Sequence, residues 1–540
     1  MKDKGSDFMK RKIFIGGAWP YANYLMHVGH LAALLPGDVI ARYYRKCGDE
    51  VIYVSGSDMH GTPITERAKK EGKTPLEISS FYHEEDVKTF NAYNFSYDLY
   101  TNTEDSFHKE EVKKIVNLLN ENGYIYEKEE LQDYCETCKC FLSDRELKGI
   151  CPHCGSECNG DQCDNCLSSL ECSEVKEKQC KTCGNKTVLK NNKHLYFKLS
   201  SFQDSIKELV DKNKDTWRRQ AVGETLKFLE MGLIDRAITR QLEWGVEVPI
   251  EGYDDKRIYV WFEAVLGYIT TCMQVCNKNG INFEEFITDK DLISYYVHGK
   301  DNIPFHTVIY PSLLMAMKKN YNLPNKIICS GYVNIGNEKM SKSKGNLITA
   351  NDLIDSYDVD SVRYYMIANG PEKKDVVFSI DDYEQTHNKF LVGVLGNFIN
   401  RNLSFIKKKF DGVVKEGKID SNIVELTKDT YKKVSSLIEE GELKSAIELI
   451  MDYVSSGNKY YDENEPWNLA KNNLDKFYDV TYTCVYMMAN ISNMIDPFMP
   501  NTTERINRIL NITNSDYNEV TITGDIIIDE LPLLFNRIEK

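Results

Sequence analysis

Two histidines and a lysine-rich loop carry the most distinctive chemistry in this chain. His27-Val28-Gly29-His30 follows an apolar run and opens an amphipathic stretch, so two imidazoles sit three residues apart at a predicted helix start. A helix N-terminus attracts anions through its free N–H groups and dipole, and the intervening Gly29 lets a planar ligand approach the backbone. About 300 residues later, Lys339-Met340-Ser341-Lys342-Ser343, followed by Lys344-Gly345-Asn346, places three lysines and two hydroxyls in a glycine-flanked loop. Such a loop can close over a triphosphate and neutralise the charge of departing pyrophosphate. Taken singly, each motif also reads as ordinary solvated surface.

The cysteines form the second constellation. Eleven of the sixteen lie between Cys135 and Cys183. Eight of these make four C-x-x-C pairs: Cys135/Cys138, Cys151/Cys154, Cys163/Cys166 and Cys180/Cys183. Each pair can give two thiolates to one tetrahedral ion, so the block predicts one or two structural Zn2+ sites. Nested and sequential pairings both satisfy the spacing. Cys140, Cys158 and Cys172 are left unassigned.

The elements that position these groups begin with Ile13-Phe14-Ile15, a core strand running into a glycine pair. Leu25, Val28, Leu31, Leu35 and Val39 then recur at helical spacing, residues 50–54 read as a second strand, and Ser55-Gly56-Ser57 as a turn. Strand, turn, helix, strand predicts a doubly wound parallel α/β sheet, where ligands sit beyond the carboxyl ends of the strands. Further strands are expected at 258–260, 295–297 and 327–329. From about residue 383 the pattern becomes all-helical, with Phe390, Val394, Leu395, Phe398 and Ile399 on one apolar face and Leu437, Ala446, Ile447, Ile450 and Val454 on others. A short β-like piece is expected at 520–528, then 531–538.

The resulting division is a Rossmann-like catalytic domain in two halves, 1–120 and 225–325, split by a zinc-binding insertion at 121–224. A loop-bearing linker spans 326–382 and a helical domain 383–540. Composition supports a soluble enzyme, with 42% apolar and 28% charged residues. The first twelve residues lack a signal-type apolar region and no run approaches membrane-spanning length, so a cytoplasmic protein without a membrane partner is expected. The net charge of −15 argues against indiscriminate nucleic-acid binding, but leaves room for a local basic face.

The paired HVGH and KMSKS motifs resemble the signature of class I aminoacyl-tRNA synthetases. Pro20-Tyr21-Ala22-Asn23, residues 56–63 (GSDMHGTP), 259–264 (YVWFEA) and 298–306 (HGKDNIPFH) resemble blocks of the methionyl-tRNA synthetases, and the likeness covers nearly the whole chain. The resemblance implies a ligase that takes ATP with Mg2+, L-methionine and tRNA(Met). It gives His27, His30, Lys339 and Lys342 to catalysis and places Gly29, His27, His30 and Lys342 at ATP. It puts Asp58 on the substrate ammonium and Tyr21, Trp261, Ala264, Tyr268 and His306 around the methionine side chain. Asn397, Arg401 and Trp467 would read the anticodon. It also favours the nested cysteine pairing, inner four and outer four. Trp19, Tyr24 and Val265 depart from the family's usual smaller aliphatic residue, glycine and proline. A monomer is expected. The alternatives are a class I synthetase or nucleotidyltransferase for another substrate, and a non-catalytic tRNA-binding paralogue.

Overall fold

The computed structural model describes residues 10–142, 146–160, 163, 165–166, 170, 172, 174–335, 338–339, 348–513 and 516–539. They form two compact units. The first takes in the described residues through Glu111, Gln203–Gly232, and those from Ala264 onwards; the second comprises Val112–Phe202 and Leu233–Glu263.

The first unit is built on five parallel strands: β1 (Lys12–Gly17), β2 (Glu50–Ser57), β3 (Leu99–Asn102), β4 (Ile293–Gly299) and β5 (Lys326–Ser330). Their order across the sheet is β5-β4-β1-β2-β3. This doubly wound order puts its reversal between β1 and β4, where a crevice opens at the carboxyl ends. β1 is buried on both faces after Lys12, which is why it reads as a continuous apolar run rather than an alternation. Helix α1 (Val28–Lys46) buries Val28, Leu31, Leu35 and Val39 against the sheet. It starts only at Val28, because the chain from Pro20 first bridges Tyr21 to Asp58. The expected turn at 55–57 is instead the end of β2, held by pairing of Ser55, Gly56 and Ser57 with β3.

The carboxyl-terminal part of this unit is helical: Asn397–Lys409, Ser421–Glu439, Leu443–Asn464, Leu474–Ile495 and Pro500–Leu510. Phe398, Ile447, Ile450 and Val454 are fully buried among them. Of the β-like tail only Ile526–Ile527 forms a strand, paired with Val413–Val414. No described helix is long and apolar enough to cross a membrane.

The second unit hangs on a long antiparallel ladder between Ile125–Cys135 and Val188–Phe197, in register from Ile125↔Phe197 to Tyr134↔Val188. A small three-stranded sheet of Leu147–Ile150, Glu157–Asn159 and Lys176–Cys180 lies in the chain between those two strands. The strand expected at 258–260 ends at Ile258, and Val260–Ala264 turns helical.

Candidate active site and cysteine clusters

His27 caps α1 in extended conformation rather than lying on its face. Its Nδ1 accepts the Gly29 N–H at 3.1 Å, and the His30 Nδ1 accepts the His27 N–H at 3.2 Å. The two rings come to 3.9 Å between centroids. A ring nitrogen that accepts a backbone N–H carries no proton, so each neutral imidazole holds its hydrogen on Nε2. The cap therefore turns both histidines into Nε2–H donors at the positive end of a helix whose own first-turn N–H groups are already bonded, Val28 to the Ile348 carbonyl, Gly29 to His27 Nδ1 and His30 to the His27 carbonyl.

The flanks of the lysine-bearing loop lead to this corner. On one side Glu338–Lys339 pairs with Val333–Ile335. On the other, Thr349 bridges His27, Val28 N–H donates to the Ile348 carbonyl at 3.2 Å, and Ala350 N–H donates to the Met26 carbonyl at 2.8 Å. Lys342 lies outside the described residues.

On the far side of the crevice the groups are sealed. His306 sits in a π-helical turn, Phe305–Ile309, a distortion that recurs at functional sites. Its Nδ1–H donates to the Asn302 carbonyl at 2.8 Å, which leaves Nε2 to accept the Tyr268 hydroxyl at 2.7 Å. Burial pushes the His306 pKa down to about 4. His298, at the end of β4, stacks on His306 at 4.0 Å between centroids. Its Nδ1–H donates to the Gly299 carbonyl at 2.9 Å, its Nε2 has no partner, and burial together with the neighbouring His306 holds its pKa well below the usual range.

Asp58 is 1% exposed and its Oδ1 accepts the His60 N–H at 3.0 Å. Ala264 and Tyr268 are buried, and Tyr21, bridged to Asp58, is half-buried. Trp261 stands half-buried on Val260–Ala264, in the second unit. Trp19 explains two glycines: a Cβ on Gly267 or Gly56 would come within 2.4 or 2.7 Å of its indole. Its Nε1 is buried without a partner, 5.8 Å between ring centroids from His108, whose Nε2 is equally unpartnered.

Asn397, Arg401 and Trp467 gather on one patch of the helical region. Asn397 Nδ2 donates to Asn458 Oδ1 at 3.2 Å; Arg401 donates to Asp462 Oδ1 at 2.8 Å and to the Asn458 carbonyl at 2.7 Å. The Arg401 guanidinium lies 4.7 Å over Tyr461, which meets Trp467 at 5.8 Å. Trp467 is 38% exposed. Asn458, Tyr461 and Asp462 were missed in the sequence, although their spacing puts them on one helix face.

In the second unit the eight cysteines make two groups, Cys135, Cys138, Cys180 and Cys183, and Cys151, Cys154, Cys163 and Cys166. This is the nested arrangement. Opposed sulfurs lie 3.4 Å (Cys135–Cys183), 3.9 Å (Cys138–Cys180), 3.8 Å (Cys151–Cys166) and 3.5 Å (Cys154–Cys163) apart. Four thiolates around a tetrahedral ion at 2.3 Å sit about 3.8 Å apart, so both groups fit a metal.

Comparison with known proteins places the chain in a family. The family model for class I tRNA synthetases (M) matches residues 13–403, and that for the anticodon-binding domain of tRNA ligases matches 420–531. Methionine–tRNA ligase 1 of Alkaliphilus oremlandii (strain OhILAs) is 44% identical over 530 residues, covering 98% of this chain and 97% of the relative. Methionine–tRNA ligase of Bacillus cereus (strain AH187) is 44% identical over 529 residues with the same coverage. The solved structure of Mycobacterium tuberculosis methionyl-tRNA synthetase in complex with methionyl-adenylate shares the fold, with a TM-score of 0.81 at 24% identity over 97% of this chain and 100% of that one. Matched over nearly its full length, the chain belongs to the methionine–tRNA ligases of the class I tRNA synthetase family.

Proposed function

We propose that this enzyme activates L-methionine with ATP and transfers it to tRNA(Met). The observation that carries this reading is the pairing of Met26–Ala350 and His27–Thr349, which ties the end of the lysine-bearing loop to the histidine corner. The methionine carboxylate attacks the α-phosphorus of ATP in line, forming methionyl-adenylate and releasing pyrophosphate. The chain supplies no nucleophile; positioning and charge stabilisation give the rate. His27 and His30 donate Nε2–H to phosphate oxygens, Gly29 admits the adenine or ribose, and Lys339 and Lys342 face the pyrophosphate. Mg2+ arrives with ATP and offsets phosphate charge. Asp58 holds the substrate ammonium, while Tyr21, Ala264, Tyr268 and His306 shape the side-chain pocket. The 2′-OH of the terminal tRNA adenosine then attacks the adenylate carbonyl, breaking its bond to AMP.

The five-part division read from the sequence assigns residues 1–120 and 225–325 to this chemistry, 326–382 to the loop, 121–224 to structural zinc and 383–540 to the anticodon. The nested thiolate sets, Cys151, Cys154, Cys163 and Cys166 within Cys135, Cys138, Cys180 and Cys183, would each hold one Zn2+ ion, which would tie their unit together in a structural rather than a catalytic role. Arg401, Asn397 and the exposed face of Trp467 read unpaired bases by hydrogen bonding and stacking. The protein works as a cytoplasmic monomer.

ATP–pyrophosphate exchange with a panel of amino acids tests the reading. Methionine alone is expected to drive exchange. Exchange with leucine or cysteine but not methionine overturns the substrate, and no exchange with any favours a binding protein.

A further inference from the structure

Behind Asp58 lies a run of polar contacts that the chemistry above does not use. Several contacts hold Asp58, among them these: its N–H donates to the Pro20 carbonyl at 2.8 Å, its carbonyl accepts the Ala22 N–H at 2.8 Å, and its Oδ1 accepts the His60 N–H. The peptide of His60 is therefore one of the groups that set the direction of the carboxylate. The His60 ring is 1% exposed, and its Nε2 meets Glu104 Oε1 at 2.5 Å. Both Glu104 oxygens in turn accept from Lys109 Nζ at 3.1 Å. Alongside, Met59 N–H donates to Thr103 Oγ1 at 2.9 Å and Thr103 N–H to the Ser57 carbonyl at 3.1 Å.

The same short segment also reaches the helix that carries Tyr268. Gln274 Nε2 donates to Asp105 Oδ1 at 2.8 Å, and the His108 Nδ1 meets Thr270 Oγ1 at 2.8 Å. Thr270 already donates its hydroxyl proton to the Gly267 carbonyl at 3.2 Å, so His108 is the donor in that pair. Residues 103–109 thus join the Asp58 corner, through Thr103 and Glu104, to the helix that carries Tyr268, through Asp105 and His108. Burial pushes the Glu104 carboxyl up, but its contacts with His60 and Lys109 outweigh that and hold it below the usual carboxylate range. An ionised Glu104 is a strong, directional acceptor for an imidazole N–H.

We infer that Glu104 is a positioning residue for amino-acid binding: held by Lys109, it locks the His60 ring and so aims the Asp58 carboxylate at the substrate ammonium. The inference rests on the methionine-activating reading of this site. It separates Glu104 from a merely structural ion pair by its selectivity. Loosening Glu104 weakens methionine binding and leaves ATP binding, which uses the other side of the crevice, in place.

The test is ATP–pyrophosphate exchange on the full chain, with KM for methionine and for ATP measured separately and thermal unfolding recorded for each variant. Glu104→Ala is expected to raise KM for methionine about tenfold, the loss of one charge-assisted hydrogen bond, with KM for ATP within about twofold. Glu104→Gln, which keeps an oxygen to accept from His60, is expected to recover most of that loss. Should Glu104→Ala fail to fold, Lys109→Met releases Glu104 without unpairing His60, and a selective rise of about three- to fivefold is expected. An unchanged KM for methionine, or equal rises for both substrates that track the unfolding temperature, overturns the inference. A wild-type protein without methionine-dependent exchange sinks the functional reading and this inference together; an active wild type with unmoved variants sinks this inference alone.

Discussion

The crevice of the first unit holds two histidine pairs of nearly equal closeness, His27–His30 at 3.9 Å and His298–His306 at 4.0 Å between ring centroids. They carry opposite tautomers. At the helix cap each Nδ1 meets a backbone N–H, so the proton sits on Nε2. At the end of β4 and in the π-helical turn each Nδ1 meets a carbonyl, so the proton sits on Nδ1 and Nε2 keeps its lone pair. One half-buried pair can give hydrogen bonds to an anion; the other is buried and neutral, and offers lone pairs on Nε2 instead. The backbone partner, rather than the residue type, decides which task an imidazole can do.

Breaking the first pair has the largest expected effect. His30→Ala removes an Nε2–H donor, and the exchange rate is expected to fall about 10²–10³-fold with KM for methionine unmoved. Lys342→Ala is expected to cost the same 10²–10³-fold through the pyrophosphate side, also read by exchange. Near wild-type rates in either variant would put the charge stabilisation elsewhere.

The second pair is expected to show itself in acid. The folded His306 pKa of about 4 lies below the roughly 6.5 of an unfolded histidine, so the unfolded chain takes up protons first as pH falls. Its contribution is fully present above pH 6.5 and is lost progressively between about 6.5 and 4, amounting to about 3 kcal/mol. Urea midpoints across that window measure it, and His306→Gln is expected to flatten the slope. In activity the same pair acts modestly. His306→Ala leaves the Tyr268 hydroxyl without its acceptor, and KM for methionine is expected to rise about tenfold, with the exchange rate at saturation within about threefold.

Trp19→Phe gives the smallest change. The indole N–H has no acceptor to lose, so an unfolding temperature within about 2 °C of wild type is expected, whereas Trp19→Ala empties the slot against Gly56 and Gly267 and lowers it clearly. A large loss on Trp19→Phe would show that the outer ring of the indole, seated against Gly56 and Gly267, carries the stability.

How far the sequence reached differs between these parts. β1, α1 and the four cysteine pairs were readable because their signals are local: an apolar run, a helical period and a two-residue gap. The carboxyl end of β2 was mistaken for a turn, since Ser55-Gly56-Ser57 has turn composition and only pairing with β3 makes it a strand. His298 and Glu104 were passed over as site residues, because their partners, His306 and His60, come from distant segments. Tautomers are invisible in a sequence, being set by which backbone group lies opposite. Asn397, Arg401 and Trp467 were named through resemblance, and what brings them together, Asn458 and Tyr461, appears only once the helices pack.

Nesting of the two thiolate sets bears on how the second unit assembles. Cys138 and Cys180 must meet across a long excursion of chain, whereas Cys154 and Cys163 are near neighbours in sequence. Closing the inner ring first shortens the excursion that the outer ring has to span, and loop-closure entropy grows with that length. An ion entering the tip of the hairpin first would therefore ease, by on the order of a few tenths of a kcal/mol, the closure of the ring at its base.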